Sequence, residues 1–232
     1  MVGRAHNDQT VVMRSLEAYT QRCVSETGRD AARGDSPVIR IMLVDDHAAV
    51  RAGLQAVLEP EIDLVAVAAT DGNEQLWPRF RRTCPDLVLL DYHLPGQNSL
   101  LICRRLKAIV PTPLVTFYSA YADAALSIPL RLAGADGLAS KAVPAGELFE
   151  VLRRVGAGER VLAPVTADLQ ETAFGPLSPQ DRVVAALLLD GATSADVAEV
   201  LGVDPIGAAV RVERLLGRVA SEHPAVLMPA IG

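Results

Sequence analysis

The sequence predicts an α/β domain, a doubly wound five-stranded parallel sheet, followed by a small all-α domain built on a helix-turn-helix. Two observations carry the first part. Apolar strand-like runs recur at 39–44, 64–68, 87–90, 114–118 and 137–139, and helix-length segments with apolar residues three and four apart lie between them. A third observation carries the second part. Beyond about residue 176 the strand-like runs stop, and three helical segments follow with a tight glycine-containing turn before the last.

The strands read as continuous apolar runs, the pattern expected where helices cover both faces of a parallel sheet. Val50, Leu54, Val57 and Leu58 mark the first helix face, Leu100, Leu101 and Leu106 a second, and Leu148, Val151 and Leu152 a third. Strands alternating with helices mean βα units, and a ligand site at the carboxyl ends of the strands. Residues 158–176, with Gly158, Pro164, Gly175 and Pro176, read as a linker. Ser178-Pro179 then opens a helix through Leu189, with serine at the N-cap and proline at the first helical position. Gly191 ends it, Thr193 or Ser194 starts a short helix through Leu201, and Gly202 ends that one. Asp204-Pro205 begins a third helix running to about Ala220. Residues 1–37 read as a flexible extension, within which 11–24 could form a short amphipathic helix. The expected division is thus 1–37 extension, 38–157 sheet domain, 158–176 linker and 177–232 helical domain.

Half of the 232 residues are hydrophobic, which excludes a disordered or fibrous chain. No apolar run is long enough to span a bilayer, and the polar start does not resemble a secretory signal, so a cytoplasmic protein without a membrane partner is expected. Cys23, Cys84 and Cys103 are widely spaced, as reduced thiols would be. A net charge of −6 weighs against nucleic acid as a partner.

The chemistry sits at the strand ends. The first strand ends in Asp45-Asp46 and the third in Asp91, on one edge of a parallel sheet. Three crowded carboxylates repel unless a hard divalent cation such as Mg²⁺ offsets them. The fourth strand delivers Ser119 to that edge and the fifth delivers Lys141, a hydroxyl and an ammonium suited to phosphoryl oxygens. A nucleophilic carboxylate, a cation and two anion-stabilising groups make a phosphoryl-accepting set.

Residues 38–157 resemble a response-regulator receiver of the NarL/FixJ type, which has a flavodoxin-like sheet. The matching stretches are Ile41-Met-Leu-Val-Asp-Asp-His47, Pro85-Asp-Leu-Val-Leu-Leu-Asp91 with Leu94-Pro-Gly96, and Ala133-Gly-Ala-Asp-Gly137 leading to Lys141. The resemblance implies that Asp91 accepts the phosphoryl group from a sensor histidine kinase. It implies further that Asp46, Asp91 and the backbone carbonyl of His93 bind Mg²⁺, with Asp45 assisting through a water. Ser119 takes the place of the switch hydroxyl, and Lys141 that of the phosphoryl contact. His47 is read as a helix-start residue. Three departures stand out. Leu138 replaces the aromatic switch residue, Ala142 replaces the usual proline after the lysine, and Pro129 falls inside the fourth helix, where it should kink or shorten it. Phosphatases with an aspartate nucleophile resemble a D-x-D motif, but Asp91-Tyr92-His93 lacks the second acid, so no enzyme is expected.

The segment 177–219 resembles a LuxR-type helix-turn-helix, which implies promoter DNA as a partner and a homodimer on a two-part site. Val210 stands at a family groove-contact position, and Arg211, Arg214 and Arg218 recur at helical spacing as a basic stripe. Against Arg182 and these three arginines stand Asp181, Asp190, Asp196, Glu199, Asp204 and Glu213, a net acidic balance in a segment that should meet phosphates. A transcriptional regulator is the expected function. The alternative is a regulator whose degenerate helix-turn-helix works through protein contacts.

Overall fold

A computed structural model describes residues 38–222; the extension at 1–37 and the last ten residues lie outside the described part. The sheet has five parallel strands, β1 (Ile39–Val44), β2 (Leu64–Thr70), β3 (Leu87–Asp91), β4 (Leu114–Ser119) and β5 (Gly137–Ser140), in the order β2-β1-β3-β4-β5. Every strand-like run of the sequence is one of these strands. Alternate residues sort to opposite faces, as a pleated strand requires. Ile41, Leu43, Leu87 and Leu89 face α1 (Ala48–Leu58) and α5 (Ala145–Gly156), whose Leu54, Leu58, Leu148, Leu152 and Val155 complete that core. Met42, Val44, Val88, Leu90, Val115 and Phe117 face α2 (Leu76–Thr83), α3 (Ser99–Lys107) and α4 (Ser127–Ala133).

Pro129 shortens the fourth helix rather than kinking it. The chain enters through a 3-10 turn at Ala124–Leu126, and α4 starts two residues before the proline. Proline there lies in the first turn, where a missing N–H removes no helical hydrogen bond. The result is a seven-residue helix with an unusual surface: Ile128, Leu130, Leu132 and Ala133 are buried, and so are Ser127 and Pro129. A helix buried all round must be covered on both sides. The sheet covers one side of α4. The other meets α6 (Ala167–Phe174), α7 (Pro179–Leu189) and α9 (Pro205–Glu222).

The C-terminal helices confirm the reading of their caps. Ser178 Oγ accepts from the Asp181 N–H with Pro179 at the start of α7. Thr193, not Ser194, caps α8 (Ser194–Leu201), in a box where Asp196 bonds back to the Thr193 N–H. Gly202 (φ 62°) turns the chain in the left-handed region before α9. The stretch read as a linker contains α6, whose Phe174 is buried. The sequence reading also passed over α2, whose Leu76 and Phe80 are one turn apart and buried. Of the three cysteines, Cys103 is free and buried, and Cys23 lies outside the described residues.

An ion pair at the far end of the sheet ties α5 to the approach to β2. Arg153 donates to both carboxylate oxygens of Asp63, at 2.7 and 2.9 Å, and to Glu61 at 2.6 Å. The hydrogen bond from Arg153 holds the Asp63 carboxyl below its ordinary value. Its stabilisation is therefore present above the ordinary carboxylate range and disappears as the pH falls through the lowered value. Replacing Arg153 with methionine is expected to cost about 1 kcal/mol at neutral pH, the upper end for a surface pair. In urea titrations the gap between the two proteins should close in strong acid.

Candidate functional site

The centre of the sheet is where the chain reverses direction of winding, because β1 lies between β2 and β3. A crevice at such a point is the natural ligand site of a doubly wound sheet. Val44 pairs with Leu90, so the next residues along, Asp45 and Asp91, leave the sheet at one level. Both are buried. Ser119 pairs with Ser140, and the following residue, Lys141, donates its N–H to the Ser119 carbonyl. The ammonium of Lys141 then bridges the two acids, 2.7 Å from Asp45 Oδ2 and 2.7 Å from Asp91 Oδ2. The remaining oxygens accept backbone N–H groups, Asp45 Oδ1 that of His47 and Asp91 Oδ1 that of His93.

The electrostatics follow from burial. Desolvation pushes the Asp91 carboxyl above its ordinary value, and the hydrogen bond from Lys141 pulls in the opposite direction without cancelling it. Burial also disfavours the charge on Lys141, but the bonds it donates to Asp45 and Asp91 outweigh this and raise its value. The ring of Tyr118 lies 5.6 Å from the ammonium, a further contact favouring the cation.

Oxygen atoms of Asp45, Asp46 and Asp91, with a ring nitrogen of His47, lie within 4.8 Å of one another. Asp46 Oδ1 is buried and accepts no aligned hydrogen bond, although His47 Nδ1 lies 2.8 Å away. An orphaned carboxylate oxygen beside two further carboxylates fits a hard cation better than it fits a closed protein network.

The expected residues therefore meet, with one qualification of geometry. Ser119 reaches the same edge, but its hydroxyl bonds its own loop, donating to the Tyr121 carbonyl and accepting the Tyr121 N–H. His47 is the N-cap residue of α1, as read, yet its imidazole also touches the acids. Arg51 was missed: one turn into α1, it donates to the Asp45 carbonyl. Its position gave a signal, since helical side chains lean back toward the strand that feeds the helix.

The chain is similar to known proteins. The response regulator receiver domain family matches residues 41–153. The response regulator GacA of Pseudomonas aeruginosa is 31% identical over 145 residues, covering 62% of this chain and 67% of its own. The chain belongs to the response-regulator family. The DNA-binding transcriptional activator DevR/DosR of Mycobacterium tuberculosis is 29% identical over 198 residues, 80% of this chain and 90% of its own. A two-component response regulator of the LuxR family from Aurantimonas superposes with a TM-score of 0.51 at 28% identity, covering 61% of this chain and 99% of its own. The RcsB response regulator of Salmonella typhimurium shares the fold, with a TM-score of 0.51 at 16% identity over 83% of this chain and 97% of its own.

In this response regulator the C-terminal helices lie against the receiver. Arg104 at the end of α3 donates to the Ala192 carbonyl, and Arg105 lies 3.5 Å from Glu213 of α9. Gly217 and Ala220 of α9 line a cleft of about 500 Å³ with the loop that follows Asp91, from Tyr92 to Asn98. The acidic balance of the helical domain thus has a partner inside the molecule, the basic end of α3. The basic stripe read from the sequence is turned aside. Arg218 pairs with Asp181 at 3.0 Å and Arg211 donates to Gln180, both on α7, while Arg214 is exposed. Helical spacing placed the three arginines on one side of α9, but Arg211 and Arg218 turn to the start of α7, and Arg214 is left to solvent. Val210 is exposed. Among the described residues no helix is long and apolar enough to cross a membrane.

Proposed function

We propose that this chain is a DNA-binding transcriptional regulator of a two-component system, switched by transient phosphorylation of Asp91. The observation that carries the reading is the buried pair Asp45–Asp91 bridged by Lys141, with the unsatisfied oxygen of Asp46 beside it. A carboxylate oxygen of Asp91 attacks the phosphorus of a phosphohistidine on a sensor kinase. The P–O bond forms, the P–N bond breaks, and the imidazole, which carries a proton on its other ring nitrogen, leaves neutral. Lys141, already within hydrogen-bond distance of Asp91, turns to the incoming phosphoryl oxygens, and Ser119 offers a hydroxyl once its local turn opens. Asp46, Asp91 and the His93 carbonyl would hold Mg²⁺, with Asp45 acting through a water. When bound, the cation offsets the charge of the carboxylates and of the phosphoryl oxygens.

In this reading a receiver at 38–157 passes the signal through the segment 158–176 to an output domain at 177–232. The output domain would bind promoter DNA as a homodimer through α9, with Val210, Arg211, Arg214 and Arg218 as contacts once Arg211 and Arg218 swing from α7. Since Leu138 replaces an aromatic switch residue, rotation of a ring toward Ser119 cannot relay the signal in this chain. A soluble, cytoplasmic protein fits this role. The test is incubation of the full chain with a small phosphodonor and Mg²⁺, followed by intact-mass measurement. Gain of one phosphoryl group that chelation prevents supports the reading, and no gain at any donor concentration refutes it.

A further inference from the structure

The N-terminal half of α9 presents an apolar face to solvent. Ile206 is 77% exposed and Val210, one turn on, is 47% exposed; Val203, in the turn before the helix, is exposed as well. The six residues Pro205, Ile206, Gly207, Ala208, Ala209 and Val210 carry no hydrogen-bonding side chain. The polar groups that flank them are engaged elsewhere. Asp204 caps the helix by accepting from the N–H groups of Ile206 and Gly207, Arg211 bonds Gln180, and Glu213 lies beside Arg105. The second helix of a helix-turn-helix is the element that enters the major groove, and its N-terminal residues reach the base edges. There, the one apolar mark of sequence is the C5-methyl of thymine.

We propose that α9 selects its DNA through thymine methyl groups, with Ile206 and Val210 as the specificity-determining side chains. The proposal rests on the DNA-binding reading above and names the feature of DNA that the site recognises. Several observations favour DNA over a protein on this face. One isoleucine and two valines make a patch far below the roughly 800 Å² per partner of a stable protein interface. Gly207, exposed and without a Cβ, lets the helix backbone approach the groove floor. Arg214 is exposed two turns on from Ile206, placed to meet a phosphate at the groove edge.

The experiment starts from the full chain treated with a phosphodonor and a random DNA library. Sequences recovered after repeated selection are expected to share thymines in each half-site. The selected site is then remade with deoxyuridine at one thymine at a time, which removes only the methyl. Affinity should fall about fourfold for each methyl that is read, the factor of one buried carbon. Ile206→Ala should erase the thymine–uracil difference at one position and leave the salt dependence of binding unchanged, since phosphate contacts set that slope. Ile206 is exposed, so the variant should melt as the parent does. Specific binding that ignores the loss of every methyl overturns the proposal and leaves the DNA-binding reading standing. Failure to recover any preferred sequence at low salt overturns both. An Ile206-dependent complex between copies of the chain, seen by sedimentation without DNA and blocked by no oligonucleotide, assigns the face to protein instead and also overturns the proposal.

Discussion

Asp91→Asn is expected to reduce labelling by a small phosphodonor to background, a loss of at least about a thousandfold, because the amide cannot serve as the nucleophile. The substitution keeps the shape of the side chain, so the loss belongs to chemistry and not to folding. Stability should respond in the opposite sense. Burial pushes the Asp91 carboxyl upward, which means that the folded protein holds this charge at a cost at neutral pH. A neutral amide removes that cost, and the variant should melt at or above the temperature of the parent. Lys141→Met separates the two roles of the pocket from the other side. It leaves two buried carboxylates without their bridging cation, a change that costs about 3 kcal/mol in comparable buried pairs. It should also slow labelling by about a hundredfold, the usual effect of removing one charge-stabilising group. The stability loss should shrink as the pH falls and Asp91 takes up a proton. Equal destabilisation by both substitutions would contradict the pocket electrostatics described here.

The receiver was legible because each of its features repeats a local rule. Five apolar runs bounded by helical periodicity fix a parallel sheet, and residues at successive strand ends must share an edge, so Asp45, Asp46, Asp91, Ser119 and Lys141 could be brought together from their positions alone. What spacing could not supply was direction. Ser119 reaches the edge, yet its hydroxyl turns to Tyr121. Arg211 and Arg218 stand on one side of α9, as their spacing requires, yet that side faces α7. Such choices are made between side chains far apart in sequence, where periodicity is silent. The same holds for the acidic surplus of the output domain. Counted within the segment it argues against DNA, but Arg104 and Arg105, far earlier in the chain, meet that segment in the folded protein. The charge of a domain is thus informative only together with the surface on which it rests.

Leu130→Ala is expected to destabilise receiver and output domain together, by about 2–5 kcal/mol. Leu130 is fully buried in α4, the helix enclosed by the sheet on one side and by α6, α7 and α9 on the other. The buried side chains of Val115, Phe117 and Leu130 belong to one continuous core with Val184, Leu188, Leu215 and Leu216 of the output domain. A cavity opened in the shared layer removes contacts on both sides of it, and neither side can collapse to fill the space without shifting the other. Relative to a total stability of some 5–15 kcal/mol, a loss of this size is large. Calorimetry of the parent protein should show one transition, and the variant one transition at a lower temperature. If α4 were merely a receiver helix with a separate output domain tethered beyond it, the variant would instead show two: a lowered one for the sheet domain and an unchanged one for the last three helices. Hydrogen exchange gives the same answer locally, since the amides of α7 and α9 should lose protection in the variant although Leu130 lies in neither helix. Retained protection there would mean that the two domains share a surface but not a core.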